Sequence, residues 1–206
     1  MKEYAVKRAA NGADAFLHAE DIGLFPWGGE YRPLAQFSLA YTDDALLLAL
    51  RAWEPPQNLR SEARGIARDV WHDSCLECFL MPQPESDRRY INFEYNPAGA
   101  MYLGVGSGRA DNVFLADAEL SCFQIVPFCV EAAGGQVLWG VTARVELSFL
   151  RCFFPTLSLS KGIKMRANFY KCGEKTIAPH YACWSPVDAP APDFHTPDCF
   201  GLLTLV

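Results

Sequence analysis

Two tryptophans stand beside polar side chains in loop-like segments of this sequence. Trp71 lies in VWHDSCLECFL, upstream of Glu77, and Trp184 lies in the proline-flanked segment IAPHYACWSP, three residues after Tyr181. A flat aromatic ring with a few oriented polar groups can fix a small ligand that has one apolar face. Large aromatic side chains are also common packing residues. Each tryptophan therefore has two interpretations: its ring contacts a ligand, or it packs in the core.

A second set of polar side chains alternates along a single predicted strand. In RRYINFEYNP, Asn92, Glu94 and Asn96 are two residues apart, so they share one face of a strand. Glu77 is expected on a neighbouring strand. The set predicts a polar floor under a ligand. The alternatives are a solvated sheet face, or a buried acid paired with Arg166.

The cysteines offer metal or redox chemistry, but their spacing supports neither. The chain has eight cysteines, which are expected to be free thiols in a reducing compartment. Cys75 and Cys78 have the C-x-x-C spacing, yet residues three apart in a strand point to opposite faces. No zinc-finger spacing joins the later group, which is Cys172, His180, Cys183, His195 and Cys199. No metal ligand is therefore assigned.

Charge and hydropathy narrow the class of partner. The formal net charge is −6 and the pI is about 5.2, which disfavours binding to phosphate backbones, so no nucleic acid is expected. No window approaches about 18 apolar residues, so no membrane span is expected. The N-terminus MKEYAVKRAANGADAF lacks the apolar stretch of a secretory signal. The chain as written is expected in the cytoplasm, and outside the cell only if a signal has been removed.

Short alternating runs separated by turn residues predict an all-β fold. The runs 35–41 and 45–53 flank Thr42-Asp43-Asp44, and 123–146 reads as a hairpin across Gly134-Gly135. Further strands are expected at 75–82, 88–97, 99–108, 162–172 and 200–206, with a short helix within 147–155. Roughly nine to eleven strands and one or two short helices predict an antiparallel β-sandwich of the immunoglobulin or jelly-roll kind. A closed barrel is the alternative. No repeat or long linker divides residues 1–206, so one domain is expected.

Five segments occur in an order that resembles a known family. They are VWHDSCLECFL, YINFEYNPAG, MRANFYKC, HYACWSPV and PDFHTPDCFGLLTL. The chain resembles the carbohydrate-binding family 9-like domains, within the wider DOMON-like group of β-sandwiches. Together with the early hairpin, the resemblance covers residues 35–206.

The resemblance implies a site and a ligand. Binding modules of the family clamp a sugar ring of a glucan or xylan chain between two tryptophans, and Trp71 and Trp184 stand at the matching positions. Glu77 matches an acidic residue that contacts sugar hydroxyls, whereas Asn92 stands where the family has an arginine. Some members hold structural calcium, whose ligands cannot be placed in this sequence. No other cofactor is implied.

The combined reading is non-catalytic binding of a mono- or oligosaccharide of the glucose or xylose type, in polysaccharide catabolism. The predicted contact residues are Trp71, Trp184, Glu77, Asn92, Glu94 and Tyr181. The alternative is a structural or protein-interaction sandwich that buries its tryptophans. Glycoside hydrolysis is a third reading. It needs two carboxyl groups about 5–9 Å apart, and because the sequence singles out no acid–nucleophile pair, no catalytic residue is assigned.

Overall fold

The structure, a computed structural model, describes residues 1–9, 17–118 and 120–206. Within these ranges the chain forms thirteen strands and one α-helix, α1 (Leu147–Arg151). The strands in chain order are β1 (Glu3–Arg8), β2 (Glu20–Asp21), β3 (Leu34–Tyr41), β4 (Ala45–Glu54), β5 (Cys75–Met81), β6 (Tyr90–Tyr95), β7 (Met101–Gly106), β8 (Val113–Phe114), β9 (Val126–Ala132), β10 (Gln136–Glu146), β11 (Lys164–Cys172), β12 (Tyr181–Cys183) and β13 (Gly201–Leu205). The all-β class predicted from the sequence is confirmed. None of the helices in the described part of the chain is long and apolar enough to span a membrane.

The strands form one curled sheet with two halves. The order is β8-β7-β6-β5-β11-β13-β1-β3-β4-β10-β9, with β12 on β11 and β2 on β3. We call β5 to β8 with β11 to β13 the front half, and β2 to β4 with β9 and β10 the back half. The edge strands β8 and β9 lie at opposite ends of this order, so the sheet does not close into a barrel.

Strand β1 joins the two halves and corrects the expectation of a purely antiparallel sheet. It pairs in parallel with β13 on one side and with β3 on the other. Parallel neighbours need long connections between them. Nearly the whole chain separates β1 from β13, so no tight turn imposes an antiparallel pairing.

The main core fills the space between the halves. Phe37 of β3 stacks on Phe169 of β11, with ring centroids 3.6 Å apart. On β5, Leu76 and Cys78 face this core, whereas Glu77 and Phe79 point to the outer face of the front half. The outer face is buried as well, because the segment after β12 covers it. Its second apolar cluster includes Phe79, Tyr90, Tyr170, Val187, Phe194 and Phe200.

A buried polar network crosses the main core at one end. The Lys171 ammonium lies 3.0 Å from Glu54 Oε1, and neither side chain is exposed. Trp139 Nε1 donates to the same carboxylate oxygen at 2.9 Å. Lys171 also donates to Nε2 of His180 at 2.7 Å, and His180 Nδ1 then donates to the Ala178 carbonyl at 2.8 Å. A buried ion pair is tolerated when its partners are satisfied in this way.

His180 makes stability depend on pH, and this gives a first prediction. Burial, followed by the Lys171 charge, lowers the pKa of His180 from 6.5 to about 4. The unfolded chain therefore takes up this proton first as pH falls, so the stability that neutral His180 contributes is present above about pH 6.5 and is lost towards pH 4. Between pH 7.5 and pH 5, we expect His180→Gln to remove about 2 kcal/mol of the acid-induced loss in the free energy of unfolding.

The measurement is chemical denaturation of both proteins across that pH range. The matched control is His18→Gln, because His18 is exposed, and it is expected to follow the wild-type profile. Identical slopes for wild type and His180→Gln would contradict the assigned role of His180.

Candidate ligand-binding site

A cavity of about 600 Å³ opens on the outer face of the front half. Its floor consists of outward side chains of β5, β6 and β11, and its walls include residues from the turn before β5, from β7 and from β12. The segment 189–195 forms the remaining side. Side chains from distant parts of the sequence meet here because β5, β6, β7 and β11 are neighbours in the sheet.

The floor of the cavity carries two buried carboxyl groups. Glu77 of β5 and Glu94 of β6 are directly opposite each other in the antiparallel ladder and are 2% and 4% exposed. Burial raises the pKa of both carboxyl groups well above the ordinary value. The next largest cause is the Cys172 thiol for Glu77, and the Glu77 charge for Glu94. Both groups thus favour the neutral form.

A chain of amide hydrogen bonds orients Glu94. Tyr102 donates to Asn112 Oδ1, Asn112 Nδ2 donates to Asn92 Oδ1, and Asn92 Nδ2 donates to Glu94 Oε1, each at 2.9 Å. The chain passes over Gly104, where a Cβ atom would lie 2.3 Å from Asn112 Oδ1. Oε2 of Glu94 is buried and has no hydrogen-bond partner. A polar atom in this state is stabilised by a ligand that supplies the missing bond.

Aromatic side chains form the wall beside this floor. Trp71 lies in the short 3-10 turn Val70–His72 and packs edge-on against Tyr102, with ring centroids 5.5 Å apart. The Trp71 carbonyl accepts a hydrogen bond from the Glu174 amide at 3.3 Å. Tyr181 contributes from β12 and contacts Trp27 edge-on at 6.4 Å. Trp71 and Tyr181 are both half-buried, so each offers surface to the cavity.

An ion pair and a neutral histidine complete the cavity. Arg109 donates to Asp193 at 2.8 Å and links the segment after β7 to the segment 189–195. Burial, followed by the Arg109 charge, lowers the pKa of His195 to about 4, and its Nδ1 lies 2.6 Å from the Tyr90 hydroxyl. Sequence reasoning missed Arg109, Asp193 and this role of His195. No strand periodicity or motif marks the loops that carry Arg109 and Asp193.

Four of the six predicted contact residues line the cavity. These are Trp71, Glu77, Glu94 and Tyr181. Asn92 is fully buried and does not line it, because it sits within the amide chain and acts on Glu94. The resemblance implied that Asn92 replaces an arginine of the family, and in the structure Arg109 reaches the cavity from another segment.

Trp184 lies in the main core, although the sequence analysis had predicted that it contacts the ligand. Its side chain is 0% exposed and packs edge-on against Phe37 and Phe169, with centroids 5.2 and 5.8 Å away. Its indole N–H donates to Glu20 at 2.7 Å. Tyr181 packs with the outer apolar cluster and Trp184, three residues later, packs in the main core, so the two rings point to opposite faces. The two predicted tryptophans are therefore on opposite sides of the front half.

Comparisons with known proteins agree with this architecture. The sequence profile of carbohydrate-binding family 9 matches residues 14–205. The chain belongs to carbohydrate-binding family 9. No match is found among curated protein sequences.

Solved structures share the family 9 fold over the whole chain. A candidate carbohydrate-binding protein from Bacteroides uniformis is 27% identical, with a TM-score of 0.82 over 100% of this chain and 99% of its own. A family 9 carbohydrate-binding module from Caldicellulosiruptor kristjanssonii, solved with glucose, is 15% identical. Its TM-score is 0.64 over 100% and 96% of the two chains. A structure of a module from the same organism with cellotriose gives 14% identity and the same TM-score, over 99% and 93%.

Proposed function

We propose that this family 9 domain binds a mono- or oligosaccharide in the outer cavity, with a sugar ring stacked on Trp71 and bounded by Tyr181. The main support for this proposal is that an aromatic wall lies beside a floor of buried carboxyl and amide groups. A pyranose ring presents an apolar C–H face and a rim of hydroxyls, so it needs both kinds of surface. Tyr181 takes the place that sequence reasoning gave to Trp184.

The polar groups of the cavity fit hydroxyl recognition. Glu94 Oε2 lacks a partner, and a sugar hydroxyl can supply the missing hydrogen bond. Arg109 lines the cavity and offers guanidinium donors. The volume of about 600 Å³ suits a ligand of one to a few sugar rings. Family membership and the relatives solved with glucose and cellotriose support a glucose-type ligand, which we place in polysaccharide catabolism.

The two floor carboxyls favour binding over hydrolysis. A glycosidase needs one carboxyl group that stays protonated and another that stays ionised, so the two environments must separate the pKa values. Burial raises the pKa of both Glu77 and Glu94. Because burial works against ionisation of both groups, the site does not separate a protonated acid from an ionised nucleophile, and both carboxyl groups are available as hydroxyl partners.

Calorimetric titration tests the proposed function. The ligands are glucose, xylose, cello-oligosaccharides and xylo-oligosaccharides, each incubated with the protein and then analysed for cleavage products. We expect saturable 1:1 heat for at least one glucose-type sugar and no cleavage. The absence of saturable heat with all of them would leave the protein-interaction sandwich as the better account.

Tyr181 provides a finer test of the aromatic wall. Tyr181→Ala is expected to weaken sugar binding about tenfold, which is about 1.4 kcal/mol, because part of the stacking surface is lost. Tyr181→Phe keeps the ring and is expected to remain within about threefold of wild type. Equal losses in both variants would show that the hydroxyl, and not the ring, contacts the ligand.

A further inference from the structure

Two thiols and a carboxyl group converge at the floor of the cavity. Cys75 of β5 and Cys172 of β11 are directly opposite each other in the antiparallel ladder. Glu77 lies two residues along β5 on the same face. The Sγ atoms of both cysteines and a Glu77 carboxylate oxygen all lie within 4.8 Å of one another. The sequence alone did not pair Cys75 with Cys172, because the pairing depends on which strands are neighbours.

The cluster is buried but reachable from the cavity. Cys75, Glu77 and Cys172 are 0%, 2% and 2% exposed, and the last two line the cavity. The Cys172 thiol donates to Glu77 Oε1 at 3.1 Å. Glu77 and Cys172 therefore touch each other and border the cavity, and Cys75 lies directly behind them.

We propose that Cys75, Cys172 and Glu77 bind a thiophilic divalent cation of the zinc class, with a fourth position that faces the cavity. Two cysteine sulfurs and one carboxylate oxygen suit Zn²⁺, whereas Ca²⁺ and Mg²⁺ prefer sites made only of oxygen. Sulfur ligands about 2.3 Å from a tetrahedral zinc lie about 3.8 Å apart. The separations of up to 4.8 Å need only a small contraction.

A second observation points to a ligand at the same place. Glu94 faces Glu77 across the ladder and lines the cavity, and its Oε2 is buried without a hydrogen-bond partner. Asn92 holds its other oxygen at 2.9 Å. Glu94 Oε2 is therefore placed to accept a hydrogen bond from a metal-bound water, the usual task of groups that surround a metal site. In the sugar complex proposed above, a sugar hydroxyl would take the place of that water.

The test is a titration of the reduced full-length protein with Co²⁺, followed by displacement with Zn²⁺. Cobalt reports tetrahedral thiolate coordination through sulfur-to-metal charge-transfer and visible d–d absorption. We expect one Co²⁺ per chain, with both absorptions, and displacement by stoichiometric Zn²⁺. Cys172→Ser and Glu77→Gln are each expected to weaken Zn²⁺ binding at least tenfold in a chelator competition.

The matched controls are Cys129→Ser and Cys152→Ser, because these cysteines are free and exposed. Both are expected to keep the wild-type spectrum and affinity. Circular dichroism is used to check that each variant is folded. Glu77→Gln keeps both thiols, so it still tests the site if a cysteine change impairs folding. Absence of stoichiometric cobalt binding, or binding that survives Cys172→Ser and Glu77→Gln, would overturn the site. The inference rests on the thiol pair and not on sugar binding, so the two titrations fail independently.

Discussion

Trp184→Ala is expected to reduce the free energy of unfolding by about 3–5 kcal/mol, the range for truncation of a buried large aromatic side chain. The indole is fully buried between the two halves of the sheet and donates to Glu20. A Cβ atom on Gly201 would lie 2.3 Å from its ring, so the neighbouring backbone is fitted closely to it. Truncation leaves a cavity that the neighbouring stacked rings of Phe37 and Phe169 cannot fill. Urea denaturation measures the loss.

Trp184→Phe is the matched control for this core position. It keeps an aromatic ring but loses the bond to Glu20, so a smaller loss of about 1–3 kcal/mol is expected. At a temperature where each variant remains folded, sugar affinity is expected to stay near wild type, because Trp184 does not line the cavity. Unchanged stability of Trp184→Ala with lost sugar binding would restore the two-tryptophan clamp predicted from the sequence.

Trp71→Ala has the opposite expected result, a loss of sugar binding in a stable fold. We expect affinity to fall about 30- to 100-fold, or about 2–3 kcal/mol, because the ring that stacks on the sugar is removed. The indole is only half-buried and lies in a short turn that precedes β5. Its removal is therefore expected to change stability much less than Trp184→Ala. Calorimetry with the best-binding sugar gives the affinity, and urea denaturation gives the stability.

Trp53→Ala is the control for Trp71→Ala. Trp53 is also half-buried, but it lies on β4 in the back half, where the Arg51 guanidinium sits 5.0 Å from its ring centroid. Its removal is expected to leave sugar affinity unchanged. If Trp71→Ala and Trp53→Ala had the same small effect on affinity, the ligand would not be stacking on Trp71.

The strand pattern was predictable wherever alternation and turn residues agreed. The hairpin around Thr42-Asp43-Asp44 is observed as β3 and β4, and the one across Gly134-Gly135 as β9 and β10. Strand β1 was missed because its residues, EYAVKR, bury only Tyr4 and Val6, which is too short an apolar pattern to stand out. Its parallel pairing depends on the far end of the chain.

The site was predictable where a residue's face follows from its own strand. Alternation along β6 placed Asn92 and Glu94 on one face, and the structure adds that only Glu94 reaches the cavity. Trp184 lies in the core and outside the cavity, and this was not predictable because the loop-like segment did not indicate which face of the sheet the side chain takes. A spacing of three from Tyr181 puts the two rings on opposite sides. Arg109, Asp193 and the pair Cys75–Cys172 arise from contacts between segments, which no local pattern encodes.

The central claim is that sugar binds on the outer face of the front half. It is tested most directly by a crystal structure of the protein grown with cellotriose. The account predicts a glucose ring against Trp71, with hydroxyls within hydrogen-bond distance of Glu94 and with Tyr181 beside it. Sugar bound elsewhere on the surface, with the cavity free of it, would contradict the account.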